Sequence, residues 1–165
     1  MSKHSKQTIS SSAKVSGSAT VRGHAQVLDS AKVSGHAEIR GHAVVSGEAQ
    51  VAGRAEVRDE AVVTDQAWVY QDALIANKAV IGGRVRVFGD ADVTGTAQIV
   101  GSARIGQGAR VSDSSHVVTV AEEGVLWTAY RTKKNGVAVL RGSNKATLAD
   151  APKALRAAIT WRKTK

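Results

Sequence analysis

The residues of this chain that could do chemistry are few, and their spacing is regular. The histidines are His4, His24, His36, His42 and His116. His24 and His42 stand at a lag of 18 in the sequence, so a fold whose coil has that length stacks them at one corner and leaves His36 at another. Two stacked imidazoles plus a group from a neighbouring chain could hold a tetrahedral zinc ion. Asp72 and Asp90 share that spacing and could face a cation. Both pairs read more simply as solvated polar positions, so no metal site and no catalytic residue is assigned, and no cofactor is expected. The absence of cysteine removes thiolate nucleophiles, thiolate metal sites and disulfides. The glycines recur at a fixed period instead of clustering in a phosphate-cradling loop.

Charge and aromatic residues point to binding. The net charge is +9. Residues 1–118 carry 13 Lys/Arg against 11 Asp/Glu, whereas residues 119–165 carry 10 against 3. The expected partner-binding residues are therefore Lys133, Lys134, Arg141, Lys145, Arg156 and Arg162, with Trp127 or Trp161 available to stack on a base. A second candidate is Trp68, Tyr70, Phe88 and Arg86, a combination typical of interface hot spots. A third set, Leu28, Val44, Val62, Val80 and Val100, is apolar yet falls at outward positions, as expected of an oligomer interface.

The element that must position these residues is a repeat. Aliphatic residues fall at every sixth position from Ile9 to Val117. Two residues before each stands a small residue, nearly always alanine, and two after stands Gly, Asp, Asn or Gln. A helix needs apolar spacing near 3.6 residues, which this pattern lacks. Ala and Val two apart share one face of a short strand, and the Gly/Asp/Asn position supplies a corner. At a lag of 18 the outward columns become coherent: Arg22, Arg40 and Arg58; Val44, Val62 and Val80; Tyr70 and Phe88. Three units per coil make a triangular prism of about six coils, about 29 Å long at roughly 4.8 Å per coil. One face should alternate Glu38 and Glu56 with Arg40 and Arg58 as a salt-bridged, solvated surface.

Beyond residue 118 the period stops. Val125-Leu-Trp-Thr-Ala-Tyr-Arg-Thr and Val137-Ala-Val-Leu-Arg, joined through Asn135-Gly136, predict a hairpin. Thr147-x-x-Asp150 with Pro152 predicts a helix start, with Leu148, Ala151, Leu155, Ala158 and Ile159 on one face of a helix running to about Arg162. The expected organisation is a polar tail (1–8), a β-helix (9–118) and a basic hairpin-and-helix module (119–165) that caps the solenoid.

The Ala-x-Val-x-Gly-x repeat resembles the hexapeptide-repeat, left-handed parallel β-helix family over about two thirds of the chain. Left-handedness and a trimeric assembly are what the resemblance implies. That fold serves acyltransferases, γ-type carbonic anhydrases, antifreeze proteins and non-enzymatic proteins, so it does not choose a function. The acyltransferases place a catalytic histidine near a loop that interrupts the repeat, and here no loop interrupts it. The γ-type carbonic anhydrase histidine spacing is not matched. The C-terminal run His116-Val-Val-Thr-Val, Leu126-Trp-Thr-Ala-Tyr-Arg-Thr-Lys, Gly136, Arg141-Gly and Thr147-Leu resembles the C-terminal segment of β-helix proteins of bacteriophages and prophages. Ser143-Asn144 stand where those proteins carry Cys-Phe.

The leading expectation is thus a non-enzymatic, homotrimeric, phage- or prophage-type protein that binds and inhibits a bacterial host macromolecule, such as a defence or regulatory factor. A nucleic-acid binder acting through the basic module is the first alternative. An acyltransferase-like enzyme with an intersubunit site is the second. No apolar run approaches membrane-spanning length, and the polar start lacks a secretory signal, so the expected location is the cytoplasm of the host cell, without membrane contact.

Overall fold

The computed structural model describes residues 7–106, 108–112, 117–122, 125–131, 137–141 and 144–158. Within them, the six-residue unit becomes a two-residue strand followed by a corner. The strands run from β1 (Thr8–Ile9) to β18 (Arg110–Val111), and each pairs in parallel with the third strand before or after it, as in Val62↔Val80 and Trp68↔Arg86. The product is a parallel β-solenoid of about six coils with three six-stranded sheets. Sheet I presents Thr8, Gln26, Val44, Val62, Val80 and Gln98 outward. Sheet II presents Lys14, Lys32, Gln50, Trp68, Arg86 and Arg104. Sheet III presents Thr20, Glu38, Glu56, Leu74, Asp92 and Arg110.

The inward column explains why the repeat folds. From Ala25 to Val111 the Ala and Val/Ile positions are essentially sealed from solvent. Each coil buries three branched aliphatics, each stabilising by about 1.5–3 kcal/mol relative to exposure. Alanine two residues earlier leaves room for the neighbouring walls, so the core is narrow. In the first coil Ile9 is 45% exposed.

The corners are equally regular. Every sixth residue from 17 to 101 has positive φ, whether glycine or one of Asp29, Asp59, Asp65, Gln71 and Asn77. L-residues pay for that conformation, and at four of these positions a side-chain bond offsets the cost. Each side chain accepts the amide N–H of the corner one coil on: Asp29 from Gly47, Asp59 from Asn77, Asp65 from Gly83 and Gln71 from Gly89, at 2.7 to 3.1 Å. These amides have no sheet partner, so the corner carboxylates and amide act as struts between coils.

After Val111 the chain leaves this path. β19 (Val117–Glu122), β20 (Val125–Arg131), β21 (Val137–Arg141) and β22 (Asn144–Ala146) form an antiparallel sheet in that order. The expected hairpin is β20–β21, with Arg131 opposite Val137; its Asn135-Gly136 turn lies outside the described residues. Val117, at the next sixth position, pairs with Tyr130 in this sheet instead of opening another coil. One side of the sheet sends Tyr130 and Leu140 into the core of the solenoid. The other packs Trp127, Ala129 and Val139 against Ala151 and Leu155 of the helical segment. Thr147 and Asp150 bond reciprocally, the Thr147 amide to the carboxylate and the Asp150 amide to the hydroxyl, both at 3.2 Å. That box closes a turn, and helix α1 (Lys153–Ala158) begins after Pro152. Ile159 and Arg162 lie outside the described residues. No helix among the described residues is long and apolar enough to cross a membrane.

Candidate functional site

Sheet II carries the strongest chemistry on the solenoid. Its two outward columns hold Lys14, Lys32, Arg86 and Arg104 and no carboxylate, a charge of +4. Sheet I carries none. Sheet III carries Arg22, Arg40, Arg58 and Arg110 against Glu38, Glu56 and Asp92, a net of +1. The weak charge of residues 1–118 therefore hides one strongly cationic face. Parallel register places Lys14 directly beside Lys32 and Arg86 directly beside Arg104. Like charges opposite one another destabilise a sheet.

The aromatic set expected from the sequence is assembled on this face. Trp68 is 41% exposed, and the Arg86 guanidinium lies over its ring at 5.1 Å. Tyr70 meets Trp68 edge to face at 6.4 Å and stacks on Phe88 at 5.6 Å with the rings 14° from parallel. The far side of Phe88 is filled: a Cβ added to Gly106 would come within 2.7 Å of that ring, so glycine is needed there to admit it. Beside Trp68, a cleft of about 350 Å³ is lined by Glu48, Gln50, Gln66, Arg84 and Arg86. Glu48 accepts from Gln66 at 3.2 Å across one wall. Arg84, Glu48 and Gln66 were not anticipated. Their signal was available, since 48, 66 and 84 form one lag-18 column at the edge of this sheet.

The apolar set is gathered on a different face. Val44, Val62 and Val80 lie in register on successive strands of sheet I, with Leu28 and Val100 flanking them. Val100 is 68% exposed.

The basic C-terminal residues are only partly united. Arg141 stands opposite Trp127 across the β20–β21 pair, its guanidinium 5.7 Å from the indole centre. With Lys145, Asn144 and Asp150 they line an open cleft of about 630 Å³. Arg156 is exposed on α1, reaches the Ala149 carbonyl at 3.5 Å and does not line that cleft. Lys133, Lys134 and Arg162 lie outside the described residues. The Asp150 carboxyl is held below its ordinary range by the Thr147 hydroxyl and amide, so the cleft keeps one anion beside its two cations.

Other titratable pairs have ordinary occupations. His24 and His42 stack at 4.8 Å, 7° from parallel, at the corner between sheets III and I. Asp72 bonds Arg54 at 2.7 Å, and Asp90 accepts the Gly108 amide at 2.7 Å. On sheet III, Glu56 draws both Arg40 and Arg58, the latter at 3.4 Å, while Arg40 also faces Glu38 at 3.8 Å; the expected checkerboard is present. Among the described residues no group of three or more His, Asp or Glu is positioned to hold a metal ion. In comparisons with known proteins, no family model, no curated protein and no solved structure matches this chain.

Proposed function

We propose that this chain is a non-enzymatic binding protein that docks sheet II onto an acidic surface of a bacterial host macromolecule and blocks it. The observation that carries the reading is the cationic, aromatic face of that sheet: an exposed Trp68 under Arg86, beside in-register cations. Lys14 and Lys32, neighbours in register, cost stability in the free protein. An acidic partner lying across them turns that cost into affinity, with Trp68 and Arg86 as the central anchors. The phage or prophage origin, left-handed winding and hexapeptide-repeat kinship belong to this proposal. They are supported by the Ala-x-Val-x-Gly-x unit and by the Thr128-Ala-Tyr-Arg strand. The C-terminal sheet serves in it as the cap over the last coil, since Tyr130 and Leu140 share the solenoid core.

The test is recovery of the tagged protein from nuclease-treated bacterial lysate, followed by mass spectrometry. One host protein in fixed ratio, lost with W68A/R86A and weakened by salt, is the expected result. Recovery of the same protein by the double variant, or of none by the parent, refutes docking through sheet II. A second reading, nucleic-acid contact at the C-terminal cleft, is favoured by Arg141 over Trp127 beside Lys145. Binding of a single-stranded oligonucleotide that falls steeply with salt and is lost in R141A would support it; a flat response removes it.

A further inference from the structure

We propose that sheet I is the surface on which two copies of this chain meet, face to face about a two-fold axis with their rods antiparallel. The argument starts from charge. Across its two outward columns, sheet I carries Val44, Val62, Val80, Leu28 and Val100 among serine, threonine, glutamine and glycine, and no ionisable side chain. The chain as a whole carries +9, so two copies repel wherever charged faces meet. Sheet II against sheet II opposes +4 to +4. Sheet II against sheet I, the contact by which the two outward apolar faces would close the three-fold assembly that the family resemblance implies, buries Lys14, Lys32 and Arg86 against a face with no carboxylate to receive them. Desolvating unpaired charges costs several kcal/mol per ion. Sheet I against itself desolvates no charge in its two outward columns, and the charged corner residues Glu48, Glu60, Lys78 and Arg84 lie at its rim.

The direction follows from the same reasoning. Residues 119–165 carry 10 cations against 3 acids, so parallel rods would put two strongly basic ends side by side. Antiparallel rods hold them at opposite ends. Full overlap of two six-stranded sheets in that sense sets Val44 of one copy opposite Val62 of the other, and Val80 opposite Gln26. The size sets the strength. A face about 29 Å by about 20 Å covers roughly 580 Å² per copy, or about 1,200 Å² in all. That is the lower edge of stable specific interfaces, so a dimer in the micromolar range is expected. It leaves both copies of sheet II outward, so the proposal does not depend on what that sheet binds.

The experiment is sedimentation velocity of the full chain from sub-micromolar to several hundred micromolar concentration. Twice the 17.2 kDa chain mass at high concentration, with association strengthened by added salt, is the expected result. V62D should remain a monomer throughout while keeping the parent's circular dichroism, and W68A should dimerise as the parent does. A monomer or a three-chain mass for the parent, or a V62D dimer, overturns the proposal. Because the chain lacks cysteine, single replacements report geometry. A T8C and Q98C mixture should be joined by a short bifunctional maleimide, and Q98C alone should not. Efficient Q98C self-linking would overturn the antiparallel arrangement.

Discussion

Gly83 and Gly101 occupy the same corner column, one coil apart, and differ in what lies beyond them. Both have positive φ, 68° and 88°. A Cβ on Gly83 would meet the Gly101 carbonyl oxygen at 2.6 Å and amide nitrogen at 2.7 Å, both backbone atoms of the next coil. A Cβ on Gly101 would meet nothing within 4 Å. Alanine at either site bears the left-handed backbone cost of about 1–2 kcal/mol. Only G83A must also push a coil aside, a further cost of about 1–3 kcal/mol. The expected losses are therefore about 1–2 kcal/mol for G101A and roughly 2–5 kcal/mol for G83A. Urea denaturation followed by circular dichroism reads the difference as a shift of midpoint at unchanged slope. Equal losses would refute the claim that close coil-to-coil approach, beyond backbone conformation alone, selects glycine at these corners. So would a larger loss for G101A.

Removing a corner strut should be costly in proportion to the bond lost. D65A removes the acceptor of the Gly83 amide at an exposed corner and should cost about 0.5–1.5 kcal/mol, whereas D65N keeps an oxygen there and should cost under about 0.5 kcal/mol, both measured by thermal melting. The Arg54–Asp72 pair is exposed, so R54A should leave the melting temperature within about 2 °C of the parent at physiological salt. Asp150 should titrate below the ordinary carboxylate range by NMR, and T147V should return it toward that range. Because its folded value is depressed, the turn it closes is fully supported above the unfolded value. That support is lost as pH falls through the folded value, so broadening of the turn's amide signals only at higher pH would contradict the assignment.

The coil was legible because two independent periods agree. The aliphatic spacing of six sets the strand, and the coherence of outward columns at 18 sets three strands per coil. The corner Asp and Gln residues were legible as turn residues but not as struts. Their partners are backbone amides one full coil further on, which no local motif announces. The β20–β21 hairpin was legible from Asn135-Gly136, whereas β22 was not, since Asn144-Lys-Ala lacks branched or aromatic residues and is recruited by its neighbour's free edge. The lag-18 columns also made legible that Lys32, Arg86 and Arg104 share a face with Trp68, Tyr70 and Phe88; the net charge of that face was less legible. Counted along the chain, Lys14, Lys32, Arg86 and Arg104 are diluted by carboxylates that the coil sends to other faces and corners.

That dilution shows what the architecture permits. In a solenoid of fixed period, consecutive strands belong to different faces, so each face can be composed almost independently of the others while the inward alanine and valine columns stay constant. Here sheet III neutralises itself through Glu56 and its arginines, and it asks for no partner. Sheet I is uncharged, which suits contact with its own likeness. Sheet II retains in-register cations and an exposed tryptophan. A face whose own columns gather cations and no carboxylate is where an acidic partner has most to offer, and the three faces differ in that respect far more than the chain-averaged composition reveals.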